Sequence, residues 1–266
     1  MERRTVLKYL AGTAFVACPC CLSVAQALAA EKEAAPAKVH GKGGAVHWTY
    51  SDGTGPEQWG TLSGAFRACD LGVEQSPVNL TRAVPAKMGT MDIAYKSMPL
   101  EVVNNGHTIQ VNCAPGSHIV LDGTRFRLLQ YHFHHPSEHL LNGKAFDMEA
   151  HFVHVSDSGT LAVLGVFIEP GAESRALKPV WNVMPSEAGK ASGGTVAPAD
   201  LLPENSAYFR YMGSLTTPPC SQKVIWTVYR EPVTASVAQV KKFAEIFPMN
   251  ARPAQRLNRR LLLRSL

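Results

Sequence analysis

The stretch Gln130-Tyr131-His132-Phe133-His134 decides how the rest of the chain is read. Polar and aromatic residues alternate with a period of two, the pattern of a strand whose two faces meet different surroundings. Taken as a strand, it projects Gln130, His132 and His134 to one side and packs Tyr131 and Phe133 behind. Working outward, short segments of the same kind, punctuated by Gly, Pro, Asn and Asp, read as strands at 100–103, 108–112, 118–121, 126–134, 149–155, 160–168 and 223–229. Apolar spacing nearer 3.6 predicts helices at 176–182 and 236–246. The polar, Gly-rich stretch 186–200 reads as a surface loop. The expected fold class is α+β, mainly β: a single domain, residues 47–266, around a large, mostly antiparallel twisted sheet with short peripheral helices.

The same strand carries a donor set. Imidazoles at i and i+2 lie roughly 7 Å apart along a strand, close enough to converge on one ion with bonds of about 2.0–2.1 Å. A third ligand must come from a neighbouring strand. Asp147-Met148-Glu149-Ala150-His151-Phe152-Val153 offers His151, with Glu149 and Val153 on its face. Three neutral histidines and one open position make a catalytic Zn2+ site, whereas a structural site is usually closed with cysteines. Gln130 and Glu149 share the ligand faces and can hold the remaining ring N–H groups, fixing tautomer and orientation. A lone His-x-His is weak on its own. His135, His139 and His154 fall off the ligand faces and read as structural, hydrogen-bonded histidines.

Composition sets the outer limits. The 266 residues are 45% apolar and 18% charged, with a formal charge of +5, ordinary for a soluble globular protein. No Lys/Arg run interleaves with aromatics, so no nucleic-acid partner is expected. Residues 1–30 read as an export signal: Arg3-Arg4, then Leu7-Lys8, an apolar run from Tyr9 to Ala17, and Ala27-Leu28-Ala29 as a small-residue cleavage site. The arginine pair is twin-arginine-like, although such pairs also occur in general secretory signals. Residues 31–46 read as a flexible leader. The mature protein is expected to be periplasmic or secreted, with no stable membrane span. Cys18, Cys20 and Cys21 would leave with the signal, and Cys69, Cys113 and Cys220 remain. For that odd number, one disulfide and one buried thiol is the economical solution in an oxidising compartment.

Further blocks follow in order from His47: His47-Trp48-Thr49-Tyr50, Gly55-Pro56-Glu57-Gln58-Trp59, Gln75-Ser76-Pro77-Val78-Asn79 and Asn104-Asn105-Gly106-His107. Then come the run from Tyr131 to His139, Glu149 to His154, Leu161 to Phe167, Gly213 to Pro219, and Asn250 to Gln255. In content, order and spacing these resemble the α-class carbonic anhydrases, in particular their exported bacterial members. The resemblance implies that residues 47–266 are the catalytic domain of a lyase whose cofactor is Zn2+, held by His132, His134 and His151. The implied reaction is the reversible hydration of CO2 to bicarbonate and a proton by zinc-held hydroxide, with side esterase activity on activated esters. Thr216 would orient the hydroxide and pass its own proton to Glu138, while His107 would relay the product proton to solvent. Val153, Leu161, Val163, Leu215 and Trp226 match the family's apolar wall for CO2, with Thr217 beside them, and Asn250 joins Gln130 and Glu149 behind the ligands. A Cys69–Cys220 disulfide, a free Cys113, and cis bonds at Ser76-Pro77 and Pro218-Pro219 are likewise implied. The partner implied is the small-molecule substrate pair, CO2 and bicarbonate. Gln110, and a short loop between His134 and Glu138, mark places where the family varies. Three other readings compete: a different zinc hydrolase, a binding module, and a zinc store. No His-Glu-x-x-His motif supports a peptidase. A binding module that has lost its ligands is opposed by histidine at all three ligand positions, and a zinc store needs neither the threonine–glutamate relay nor the wall.

Overall fold

Alternation over 126–134 becomes a central strand of the sheet, with a change of phase inside it. The computed structural model describes residues 46–266. The expected export signal, Cys18, Cys20, Cys21 and the leader up to residue 45 lie outside those residues. Fifteen strands are described. The first eight are β1 (Asn79–Leu80), β2 (Val84–Ala86), β3 (Met91–Ala94), β4 (Met98–Asn104), β5 (Ile109–Asn112), β6 (His118–Leu121), β7 (Thr124–His134) and β8 (Leu140–Leu141). Then follow β9 (Met148–Ser156), β10 (Leu161–Pro170), β11 (Gly189–Val196), β12 (Tyr208–Ser214), β13 (Gln222–Tyr229), β14 (Val233–Ala235) and β15 (Leu263–Ser265). Thirteen of them form one sheet, whose main path runs β11-β4-β5-β7-β9-β10-β13-β12-β15-β2. Most neighbours are antiparallel, and β10 with β13, β10 with β14 and β15 with β2 are parallel. The helices are short and peripheral, Lys178–Val183 and Val237–Ala244 among them. The second is closed at its start by a capping box between Ser236 and Gln239.

The phase change sits at Leu129. Leu128 pairs with His154 on β9 and Gln130 pairs with Val153, so β7 carries one extra residue between them. A bulge of this kind moves every following side chain to the opposite face. Before it, Phe126 and Leu128 enter the main apolar core; after it, Tyr131 and Phe133 do. Gln130, His132 and His134 are thereby released to the other face. On β9, Met148, Ala150 and Phe152 fill the same core, leaving Glu149, His151 and Val153 opposite. Burying aromatic and aliphatic side chains of this size stabilises the fold by roughly 1.5–3 kcal/mol each, which fixes the register of both strands.

Two of the longer strands differ from the sequence reading, which also did not include the short β1, β2, β3, β8, β14 and β15. The stretch 186–200 is not a loop: β11 spans Gly189–Val196 and pairs with β4 along one edge of the sheet. An edge strand needs no apolar alternation, and this one is mostly exposed. Its Gly-rich centre accommodates a register shift between Ser192 and Thr195, where Gly194 takes φ +74°. The second feature is β12, which alternation does not single out. Tyr208 and Phe209 are both buried, on opposite faces, and Gly213 ends the pattern. Cis bonds occur at Ser76-Pro77 and Pro218-Pro219, as the resemblance implies, and also at His135-Pro136.

Candidate metal centre

Pairing across β7 and β9 sets His132 directly opposite His151, with Gln130 facing Val153 and His134 facing Glu149. The three imidazoles therefore crowd together: ring centres are 5.0 Å apart for His132–His134, 5.4 Å for His132–His151 and 4.6 Å for His134–His151. One ring nitrogen of each lies within 4.8 Å of the others. Each ring's other nitrogen is committed elsewhere. His132 Nδ1 meets Gln130 Oε1 at 2.9 Å, and His134 Nδ1 meets the Asn250 carbonyl at 2.7 Å. His151 Nε2 meets Glu149 Oε1 at 2.9 Å. All three partners are acceptors, so each ring donates there and turns a lone pair toward the common centre. His134 Nε2 is buried with no hydrogen-bond partner, an arrangement that is costly unless another species completes it. Three converging neutral imidazole nitrogens fit a Zn2+ ion.

The charge state agrees with this donor set. Burial holds His132 well below its ordinary pKa, reinforced by His134 and His151 beside it. Burial also lowers His134, against the opposing pull of Glu138. Both rings are thus kept neutral, the form that binds metal. For Glu149 burial alone would favour the neutral acid, but His139 and His151 hold it well below the usual carboxylate range. It is a saturated carboxylate. Oε1 accepts from His139 Nδ1 at 2.7 Å and from His151, and Oε2 accepts the backbone N–H groups of Glu138 and His139 at 3.0 and 2.8 Å. His139 Nε2 in turn meets Tyr211 Oη at 2.7 Å. Gly165, paired with His151, leaves room for this carboxylate; a Cβ there would stand 3.0 Å from Glu149 Oε1.

Asn250 does more than the sequence suggested. Besides its carbonyl, its side chain accepts from His135 N at 2.7 Å and donates to the carbonyls of His107 and Phe133, both at 3.0 Å. Two residues on, Arg252 donates its backbone N–H to Glu138 Oε1 at 2.8 Å, and its guanidinium bonds Gln75, Ser76 and Cys69. Arg252 was not foreseen as a site residue, although it lies inside the block Asn250 to Gln255 that carried part of the resemblance. Glu138 Oε2 is buried with no hydrogen-bond partner and lies 3.5 Å from His134 Nε2. The Thr216–Glu138 hydrogen bond is therefore not formed at that oxygen. Thr216 is buried in the loop after β12, which is closed by Leu215 N to Ser221 O, Cys220 N to Thr217 O, and a Cys69–Cys220 disulfide. Cys113 is free.

An apolar row runs beside the histidines. Val153, Val163 and Trp226 are successive partners across β9, β10 and β13, Leu161 lies two residues from Val163, and all four are buried. The Trp226 ring is 4.8 Å from that of His151. Leu215 and Thr217 are half-buried on the Thr216 loop. Gln110 pairs with His132 on β5. His107 lies outside this cluster, stacked on Trp48 with ring centres 3.8 Å apart; burial, then nearby His47, lowers its pKa to about 4. A cavity of about 570 Å³ opens behind Glu138 and Arg252 and includes none of the three histidines.

Comparison of sequence and fold matches the chain to carbonic anhydrases, with dioscorins also among the matches. Residues 54–266 fit the family described as eukaryotic-type carbonic anhydrase. A carbonic anhydrase of Nostoc sp. is 42% identical over 229 residues, covering 83% of this chain and 87% of its own. One from Neisseria gonorrhoeae is 42% identical over 224 residues, covering 83% and 89% respectively. The solved α-carbonic anhydrase of Thermovibrio ammonificans, in complex with the inhibitor sulfanilamide, superposes with a TM-score of 0.81 at 47% identity, covering 83% of this chain and all of that one.

Proposed function

The chain belongs to the α-carbonic anhydrase family, enzymes of CO2 hydration, and from that premise we propose how its own residues carry out the reaction. The carrying observation is the trio His132, His134 and His151, each with one nitrogen anchored and the other turned to a shared centre. These three would hold Zn2+. When bound there, the ion would supply Lewis acidity that lowers the pKa of water to about 7 and so provides a nucleophile at neutral pH.

The protein supplies orientation and dryness. Glu138 Oε2, left without a donor, is the acceptor to which the Thr216 hydroxyl would donate its hydrogen bond. Thr216 then has only its lone pairs to offer the nucleophile and holds that oxygen's remaining hydrogen away from the substrate. Val153, Leu161, Val163, Leu215 and Trp226 offer an apolar seat for CO2, with Thr217 at its edge. Bicarbonate, being charged, gains nothing from that seat and leaves it. His107 would relay the product proton. Stacked on Trp48 with a pKa near 4, it cannot hold a proton at pH 7. The relay requires its ring to leave the indole for a more hydrated position, where imidazole titrates near 6.5. Export to the periplasm or beyond is part of this proposal, as is weak esterase activity on activated esters.

Zinc content and stopped-flow CO2 hydration on one sample test the reading. His134→Ala should lose both together while near-ultraviolet circular dichroism stays native. A His134→Ala protein with full zinc and full rate would refute the ligand set.

A further inference from the structure

The charge of this chain is unevenly divided. Residues 47–266 contain twenty Lys and Arg against eighteen Asp and Glu, yet segments 75–91 and 252–266 hold seven of the twenty and none of the eighteen. The two segments are neighbours in the fold. β15 runs parallel to β2 with Leu263 beside Val84, and Val84 N–H donates to the Leu262 carbonyl at 2.9 Å. Arg260 stitches the later segment to the Met212 and Gln75 carbonyls at 3.0 and 2.9 Å, and Asn258 Nδ2 reaches the Val73 carbonyl at 2.7 Å.

Exposed apolar side chains gather at the same place. Nine large ones stand out among the described residues, and six belong to this region: Leu71, Val73, Val84, Met212, Leu261 and Leu266. Leu261 is 70% exposed and Val73 65%. Around them Arg82, Lys87, Arg256 and Arg259 are exposed. Single exposed leucines need no explanation, but a cluster flanked mainly by basic side chains, with Asp70 and Glu74 as the acids beside Leu71 and Val73, marks an interaction surface.

We propose that this face, centred on Leu261, Val73, Arg256 and Arg259, docks the protein on an anionic phospholipid surface. The arginines meet lipid phosphates within the range that salt leaves unscreened. The leucines and valines enter the boundary between headgroups and acyl chains. A second copy of the chain is disfavoured as occupant, because a two-fold contact sets this patch against itself and opposes arginine to arginine. Nucleic acid would satisfy the charge but leave the aliphatic side chains unused, and the patch offers no aromatic ring for a base to stack on.

Co-sedimentation of the full chain with vesicles tests this, comparing phosphatidylcholine alone with equal parts phosphatidylcholine and phosphatidylglycerol. The expected result is binding to the anionic vesicles only, weakened by added salt. Arg256→Glu/Arg259→Glu should cut partitioning roughly tenfold or more, and Leu261→Ser should reduce it at unchanged charge, with CO2 hydration and melting temperature unaltered in both. Residues 1–30 are common to every variant, so differences among them report this face. Equal partitioning of parent and charge-reversed protein would overturn the proposal. So would sedimentation velocity showing a dimer that the charge reversal dissociates while the parent ignores anionic vesicles.

Discussion

At the scale of single residues, the histidines divide by what surrounds them. His154 is fully buried, between Tyr95 Oη at 2.7 Å and the Ala162 carbonyl at 3.1 Å, and burial lowers its pKa to about 3. Its folded value lies below the unfolded one near 6.5, so the neutral ring's stabilisation is present above pH 6.5 and is lost as pH falls toward 3. That shift corresponds to about 5 kcal/mol. A His154→Gln protein should lose melting temperature less steeply between pH 6 and 4 than the parent; an unchanged slope would show that His154 does not set acid stability. His107 allows a kinetic test. If it relays the product proton, His107→Ala should lower kcat while leaving kcat/KM nearly unchanged, and imidazole buffer should restore the rate. An equal fall in both parameters would place His107 in the CO2 attack. The faces of His132, His134 and His151 were legible in sequence because side chains on a strand alternate strictly. Their anchors were only partly so. Asn250 binds His134 through its carbonyl, a group every residue has, and the resemblance alone pointed to it.

At the scale of elements, the sequence shows strands well where one face is buried and poorly where both or neither is. β7 and β9 were found within two residues, yet the bulge at Leu129 was invisible, since leucine suits either face and only pairing with β9 reveals the extra residue. β11 was missed as an exposed edge, and β12 because Tyr208-Phe209 and Tyr211-Met212 set large side chains on both of its faces, although Arg210 is only half-buried and Met212 is exposed. Crowding beside β12 supports a packing prediction. A Cβ on Gly213 would overlap Ser76 Oγ and stand 2.8 Å from both Trp226 Cδ1 and Tyr211. Gly213→Ala should therefore destabilise the protein by about 2–3 kcal/mol and lower activity by displacing Trp226, the ring beside His151. Denaturant melts matching the parent within error would refute that reading of the contact.

At the scale of the whole molecule, distant segments close on one another around the site. The Cys69–Cys220 disulfide spans 151 residues, and a loop of that length implies roughly 5 kcal/mol of stabilisation as an upper figure. Replacing both cysteines by serine should lower the denaturant midpoint accordingly; an unchanged midpoint would mean that the surrounding contacts, Arg252 to Cys69 O and Gln75 to Cys220 O, suffice without the bond. Those contacts have a consequence in time. A chain is made from its first residue onward, and His132, His134 and His151 are all present when little more than half of it exists. The anchor for His134 is not, because it belongs to residue 250, and the N–H on Glu138 belongs to residue 252. The centre is therefore complete only once residues 250 and 252 have been added and packed against it. If zinc is held there as proposed, its stable binding would wait on the docking of this late segment, and the compartment in which that segment docks would be the one that supplies the metal.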